Sequence, residues 1–117
     1  MNDNQNNTGE KKMETTRIKP MKRGCLINKL NKAFPKGWFQ KGEDYGWDKG
    51  CILTGEVSMV EVEGSELPMF EYYDAIYYDP KENFWESGMW KKFVEIVKDA
   101  GWIAEWHDAG TVHIYEN

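Results

Sequence analysis

The chain has no run of about 18 uncharged apolar residues, so no membrane-spanning helix is expected. Its start has no apolar core of the kind a secretory signal requires. A soluble, intracellular protein in the cytoplasm of a host cell is therefore the expectation. Cysteine is scarce: Cys25 and Cys51 both stand outside any CxxC pair. A zinc knuckle or thioredoxin-type site has no support, and two such thiols read as small packing residues. Histidine is scarcer, with His107 and His113 both inside "AEWHDAGTVHIYE" at 104–116. There is no HExxH, no phosphate-cradling glycine loop, no nucleotide fingerprint, and no Ser or Cys with a plausible catalytic partner.

Aromatic side chains are plentiful. Six Trp, six Tyr and five Phe in 117 residues supply buried area that offsets chain entropy, and the length fits one small core. The net charge of −5 is unevenly laid out: residues 1–23 carry +3, 24–60 carry +1, 61–90 carry −7 and the remainder −2. The middle of the chain is its acidic pole. Residues 1–21 show neither helical nor alternating periodicity and read as a flexible basic tail ahead of one domain, 22–117. Met13 and Met21 are alternative starts to Met1.

Leu26, Ile27, Leu30, Ala33 and Phe34 fall on one helical face, which predicts a helix over 22–34 stopped by Pro35 and Gly37. Residues 37–50 interleave four glycines with Trp38, Phe39, Tyr45 and Trp47, a pattern for a bent aromatic loop. Residues 52–63 read as one strand, broken by "GSELP", and 69–78 as a second strand apolar on both faces. Trp90, Phe93, Val94, Val97 and Ala100 predict a helix over 87–100, with Ser87 as N-cap and Gly101 in the left-handed position after its last turn.

The "DAG" between 102–106 and 111–115 fits a type I turn followed by a left-handed glycine, joining two alternating strands. Its register places Trp106 opposite Val112, Glu105 opposite His113, Ala104 opposite Ile114 and His107 opposite Thr111. Trp102, Ala104, Trp106, Val112 and Ile114 then face the core, and Glu105, His107, Thr111, His113 and Tyr115 face outward. The expected fold is α+β in the order α-β-β-α-β-β, a four-stranded, mostly antiparallel sheet with two helices on one face.

The last 25 residues, "FVEIVKDAGWIAEWHDAGTVHIYEN", resemble the C-terminus of small uncharacterised phage and mobile-element proteins of gut bacteria, in which a helix leads into a GWxAEWxDAGT hairpin. The resemblance implies a phage-type context and the helix–hairpin unit, and it carries over no catalytic residue.

Three functions follow. The first is a non-enzymatic factor without cofactor or metal, occupying a host or phage protein through Glu61, Glu63, Glu66, Glu71, Tyr73, Asp74, Tyr77 and Asp79. Its acidic, aromatic surface would suit a basic groove, as in a DNA mimic that inhibits a nuclease or defence complex. The second is single-stranded nucleic-acid binding, with bases on Trp38, Tyr45 and Trp47 and phosphates on Lys29, Lys32, Lys36 and Lys41; the overall negative charge disfavours it. The third is a small metal-dependent enzyme using Glu105, His107 and His113, at a spacing that matches no recurring motif.

Overall fold

A computed structural model describes residues 19–72 and 84–117. The elements run α1 (Arg23–Ala33), β1 (Gln40–Lys41), a 3-10 turn (Gly42–Tyr45), β2 (Ile52–Gly55), β3 (Met59–Val62), β4 (Ser65–Pro68), β5 (Trp85–Glu86), β6 (Met89–Trp90), α2 (Lys91–Asp99), β7 (Trp102–Asp108) and β8 (Thr111–Glu116). The architecture is α+β. One antiparallel sheet has the strand order β1-β2-β8-β7, and two separate hairpins, β3-β4 and β5-β6, sit beside it. No described helix is long and apolar enough to cross a membrane.

Helix α1 forms where the apolar spacing places it. Leu26 and Leu30 are fully buried and Phe34 nearly so, whereas Ala33, expected on the same face, is exposed. From α2, Phe93 and Val97 meet them in one core with Ile52, Val112, Ile114 and Trp102. Both helices therefore cover the same, inner face of the sheet. Gly101 takes the left-handed conformation at φ 82°, and its N–H donates to the Lys98 carbonyl at 3.0 Å, closing α2 as the sequence predicts.

The start of α2 differs from expectation. Ser87 is not its N-cap: Ser87 (φ 52°) and Gly88 (φ 79°) are the two left-handed residues of a tight turn joining β5 to β6. A type I′ hairpin loop takes positive φ at both of its two residues, so "SG" is turn chemistry ahead of the helix. The helix begins at Lys91, after Trp90, with no side-chain cap.

The strand expected over 52–63 is two strands serving different partners. Residues 52–55 pair with β8 in the central sheet, and 59–62 pair with 65–68 in a separate hairpin. The break is held by Ser58, which is fully buried. Its N–H donates to the Gly55 carbonyl at 2.9 Å, while its Oγ accepts from the Trp38 N–H at 2.8 Å and shares a hydrogen bond with Thr54 Oγ1 at 2.9 Å. A buried hydroxyl satisfied from several sides fixes a corner that period-two patterning does not reveal. "GSELP" is correspondingly not a breaker: Glu63 (φ 51°) and Gly64 (φ 84°) make the turn, and Ser65–Pro68 is a strand.

Three strands of the four-stranded sheet, β2, β7 and β8, coincide with expected strands, and the fourth does not. The short 40–41 segment occupies its edge, and over 69–72 a single bridge forms among the described residues, Phe70 to Met89. Residues 73–78 of the expected second strand, and 1–18 of the expected tail, lie outside the described residues.

Candidate binding site on the outer face of the sheet

The C-terminal hairpin sets the geometry of this face. Trp102–Glu116, Ile103–Tyr115, Ala104–Ile114, Glu105–His113 and Trp106–Val112 are paired, which is the expected register. At the turn the expectation fails: Asp108 pairs with Thr111, a bulge falls between Trp106 and Asp108, and Gly110 is not left-handed. The extra residue is absorbed within β7 at His107, so His107 has no cross-strand partner. Asp108 Oδ1 accepts from the Gly110 N–H at 2.9 Å, a bond that also lowers the Asp108 pKa.

Glu105, His107, Thr111, His113 and Tyr115 share the outward face, but the 42–51 segment folds over part of it. The Trp47 ring meets His107 edge-on at 4.4 Å between centroids and His113 at 5.7 Å, and His113 lies 5.4 Å from Tyr115. The Tyr115 hydroxyl donates to Glu105, which with burial pushes the phenol above its usual range. Between the 48–51 turn and this face is an open cleft of about 610 Å³, lined by Asp48, Lys49, Cys51, Glu105, His113, Tyr115 and Glu116. Cys51 is a buried wall: burial raises its thiol pKa, and Sγ donates to the Asp48 carbonyl at 3.1 Å. A protonated, engaged thiol is a poor nucleophile. Among the described residues, no group of three or more His, Cys, Asp or Glu is placed to hold a metal ion.

The covering segment is braced from α1. Arg23 forks onto both Glu43 oxygens at 2.6 and 2.7 Å and donates to the Cys51 carbonyl at 3.1 Å. The fork holds the Glu43 carboxyl at about 2, below its ordinary 4.5. A depressed carboxyl pKa contributes stability that is fully present above the ordinary value and is lost as pH falls through the folded one. Amide protection at Gly42 and Trp47, whose N–H groups donate to the Cys51 and Gly42 carbonyls, should therefore decline between pH 4.5 and about 2. Glu43→Gln should flatten that decline in hydrogen exchange; an unchanged acid profile would contradict the brace.

Of the expected acidic residues, Glu61, Glu63 and Glu66 are exposed on the β3-β4 hairpin, and Glu71 is half-buried with its N–H donated to Gly88. Glu61 and Glu66 face each other directly across the hairpin. Tyr73, Asp74, Tyr77 and Asp79 lie outside the described residues. Lys29 and Lys32 are exposed on α1 and Lys41 on β1, while Lys36 is ion-paired with Glu66. Trp38 packs edge-on against the exposed Tyr45 at 5.2 Å, whereas Trp47 is turned onto the histidines.

No family model, curated protein or solved structure matches this chain. Asp48, Lys49 and Glu116 were not singled out by the sequence. Their cleft is made by two segments more than fifty residues apart, and no local pattern carries that contact.

Proposed function

We propose that this chain is a non-enzymatic binding protein, a phage or mobile-element accessory factor that occupies a basic surface on a host protein, as a DNA mimic occupies a nuclease or defence complex. The observation that carries this reading is the Glu61–Glu66 pair. Like charges directly opposite on two strands destabilise a hairpin, and among the described residues the compensating ion pair is that of Lys36 with Glu66. With Glu63 at the hairpin tip, this edge of the fold carries an electrostatic cost that packing does not require. A basic partner would remove it and would be steered to it through solvent.

The nucleic-acid reading has less support, because Lys36 is already engaged and Trp47 faces the histidines rather than an open stacking surface. Affinity capture from host lysate with the full chain is the test. Specific proteins should be retained at low ionic strength, released at high, and lost with the double variant Glu61→Lys, Glu66→Lys. No retained protein at low salt, or the same set held by the variant, would sink the reading. A gel shift of a single-stranded oligonucleotide by the wild type would favour nucleic acid instead.

A further inference from the structure

The cleft on the outer sheet face is acidic, as the β3-β4 hairpin is, and it adds aromatic side chains to its carboxylates. Its sheet side presents Glu105, His113 and Tyr115, and its other side Asp48 and Lys49, with Glu116 also lining it. Three carboxylates stand against a single ammonium group. Tyr115 donates to Glu105, which steers that carboxylate while leaving it further acceptor sites, since a carboxylate offers about four lone-pair positions. The aromatic wall continues from Tyr115 through His113 to Trp47.

We propose that this cleft takes the guanidinium of an arginine side chain presented by a basic protein partner. The proposal rests on the binding function above and names the group that would be recognised. A guanidinium is planar, forks onto carboxylate oxygens and lies against aromatic rings, so it can use the acidic and aromatic sides together. A lysine ammonium is a compact point charge without the fork. The volume of about 610 Å³ lies within the range of about 300–1,000 Å³ typical of small-ligand sites, enough for the side chain and part of the backbone that bears it.

The test is an NMR titration of the full chain with N-acetyl-arginine amide, N-acetyl-lysine amide and the neutral isostere N-acetyl-citrulline amide. The arginine probe should give saturable shifts at the amides of Lys49, Gly50, Glu105 and Tyr115. The lysine probe should bind more weakly and the citrulline probe should leave these amides unmoved. Glu105→Gln, at an exposed position, should weaken the arginine probe on the order of ten-fold, and Glu116→Gln less. An equal response to citrulline, shifts confined to residues 59–68, or indifference to Glu105→Gln would overturn the proposal. Glu61→Lys with Glu66→Lys should leave probe binding intact, which separates the two ideas. If a host protein is captured through the hairpin while the arginine probe fails, only the arginine recess falls. If the probe binds and no host protein is captured, the proposed function falls and the recess stands.

Discussion

Trp102→Ala should lower stability by about 3–5 kcal/mol, the cost of truncating a fully buried aromatic. Trp102 is 1% exposed, in the same core as Phe93, Val97 and Ile114. Its indole Nε1–H also donates to the Met21 carbonyl at 2.8 Å, tying the chain just before α1 to the final hairpin. Truncation leaves a cavity where both helices meet the sheet and removes the donor from that carbonyl. Small domains hold only about 5–15 kcal/mol in total, so the variant should be marginal at physiological temperature. Urea unfolding should show a lower midpoint with an unchanged slope, and the melting temperature should fall by roughly 12 °C or more. Trp102→Phe should recover most of the loss, lacking the hydrogen bond worth about 1 kcal/mol. A loss below about 1 kcal/mol for the alanine variant would mean that this ring is not central to the core.

Gly55→Ala should be damaging out of proportion to the single methyl group it adds. A Cβ at residue 55 would lie 2.2 Å from the Gly110 carbonyl oxygen, a backbone atom that also accepts from the Glu56 N–H at 3.0 Å. The clash cannot be relieved by rotating a side chain. Either β2 moves away from β8 at the Gly55–Thr111 pair or the hairpin turn shifts, and forced repacking of this kind typically costs about 1–3 kcal/mol. Chemical denaturation measures the cost, and faster amide exchange at Glu56 should locate it. Gly24→Ala is the control: nothing lies within 4 Å of its added Cβ, and it sits in α1, where alanine should stabilise by roughly 0.5–1 kcal/mol. Equal behaviour of the two variants would refute the steric account.

The sequence was most legible where periodicity and turn chemistry pointed the same way. Helix α1, the body of α2, the left-handed Gly101 and the Glu105–His113 register all follow from local patterns, because each depends on residues a few positions apart. It misled at turns. Ser87 looked like a helix cap and Gly64 like the start of a breaker, yet Ser87-Gly88 and Glu63-Gly64 are two-residue hairpin turns with positive φ. A serine before an amphipathic stripe satisfies either rule, and only the strand returning on the far side decides between them. At the last turn the sequence suggested a three-residue loop over Asp108–Gly110, whereas Asp108 pairs with Thr111 and the extra residue is a bulge at His107.

Sequence alone determined that this chain would bury an aromatic core under two amphipathic helices and close with a hairpin that turns tryptophan inward and histidine outward. Those outcomes follow from which side chains leave water and from the fixed periods of helix and strand. Tertiary structure decided that 52–63 would divide between two sheets, that Gln40–Lys41 would take a sheet edge, and that Trp47 would lie against His107 and His113 beside an acidic cleft. Each of these depends on a contact between distant segments: Ser58 with Trp38, β1 with β2, Arg23 with Glu43. The energy of such contacts is set by which surfaces meet in space, and no window of neighbouring residues encodes it.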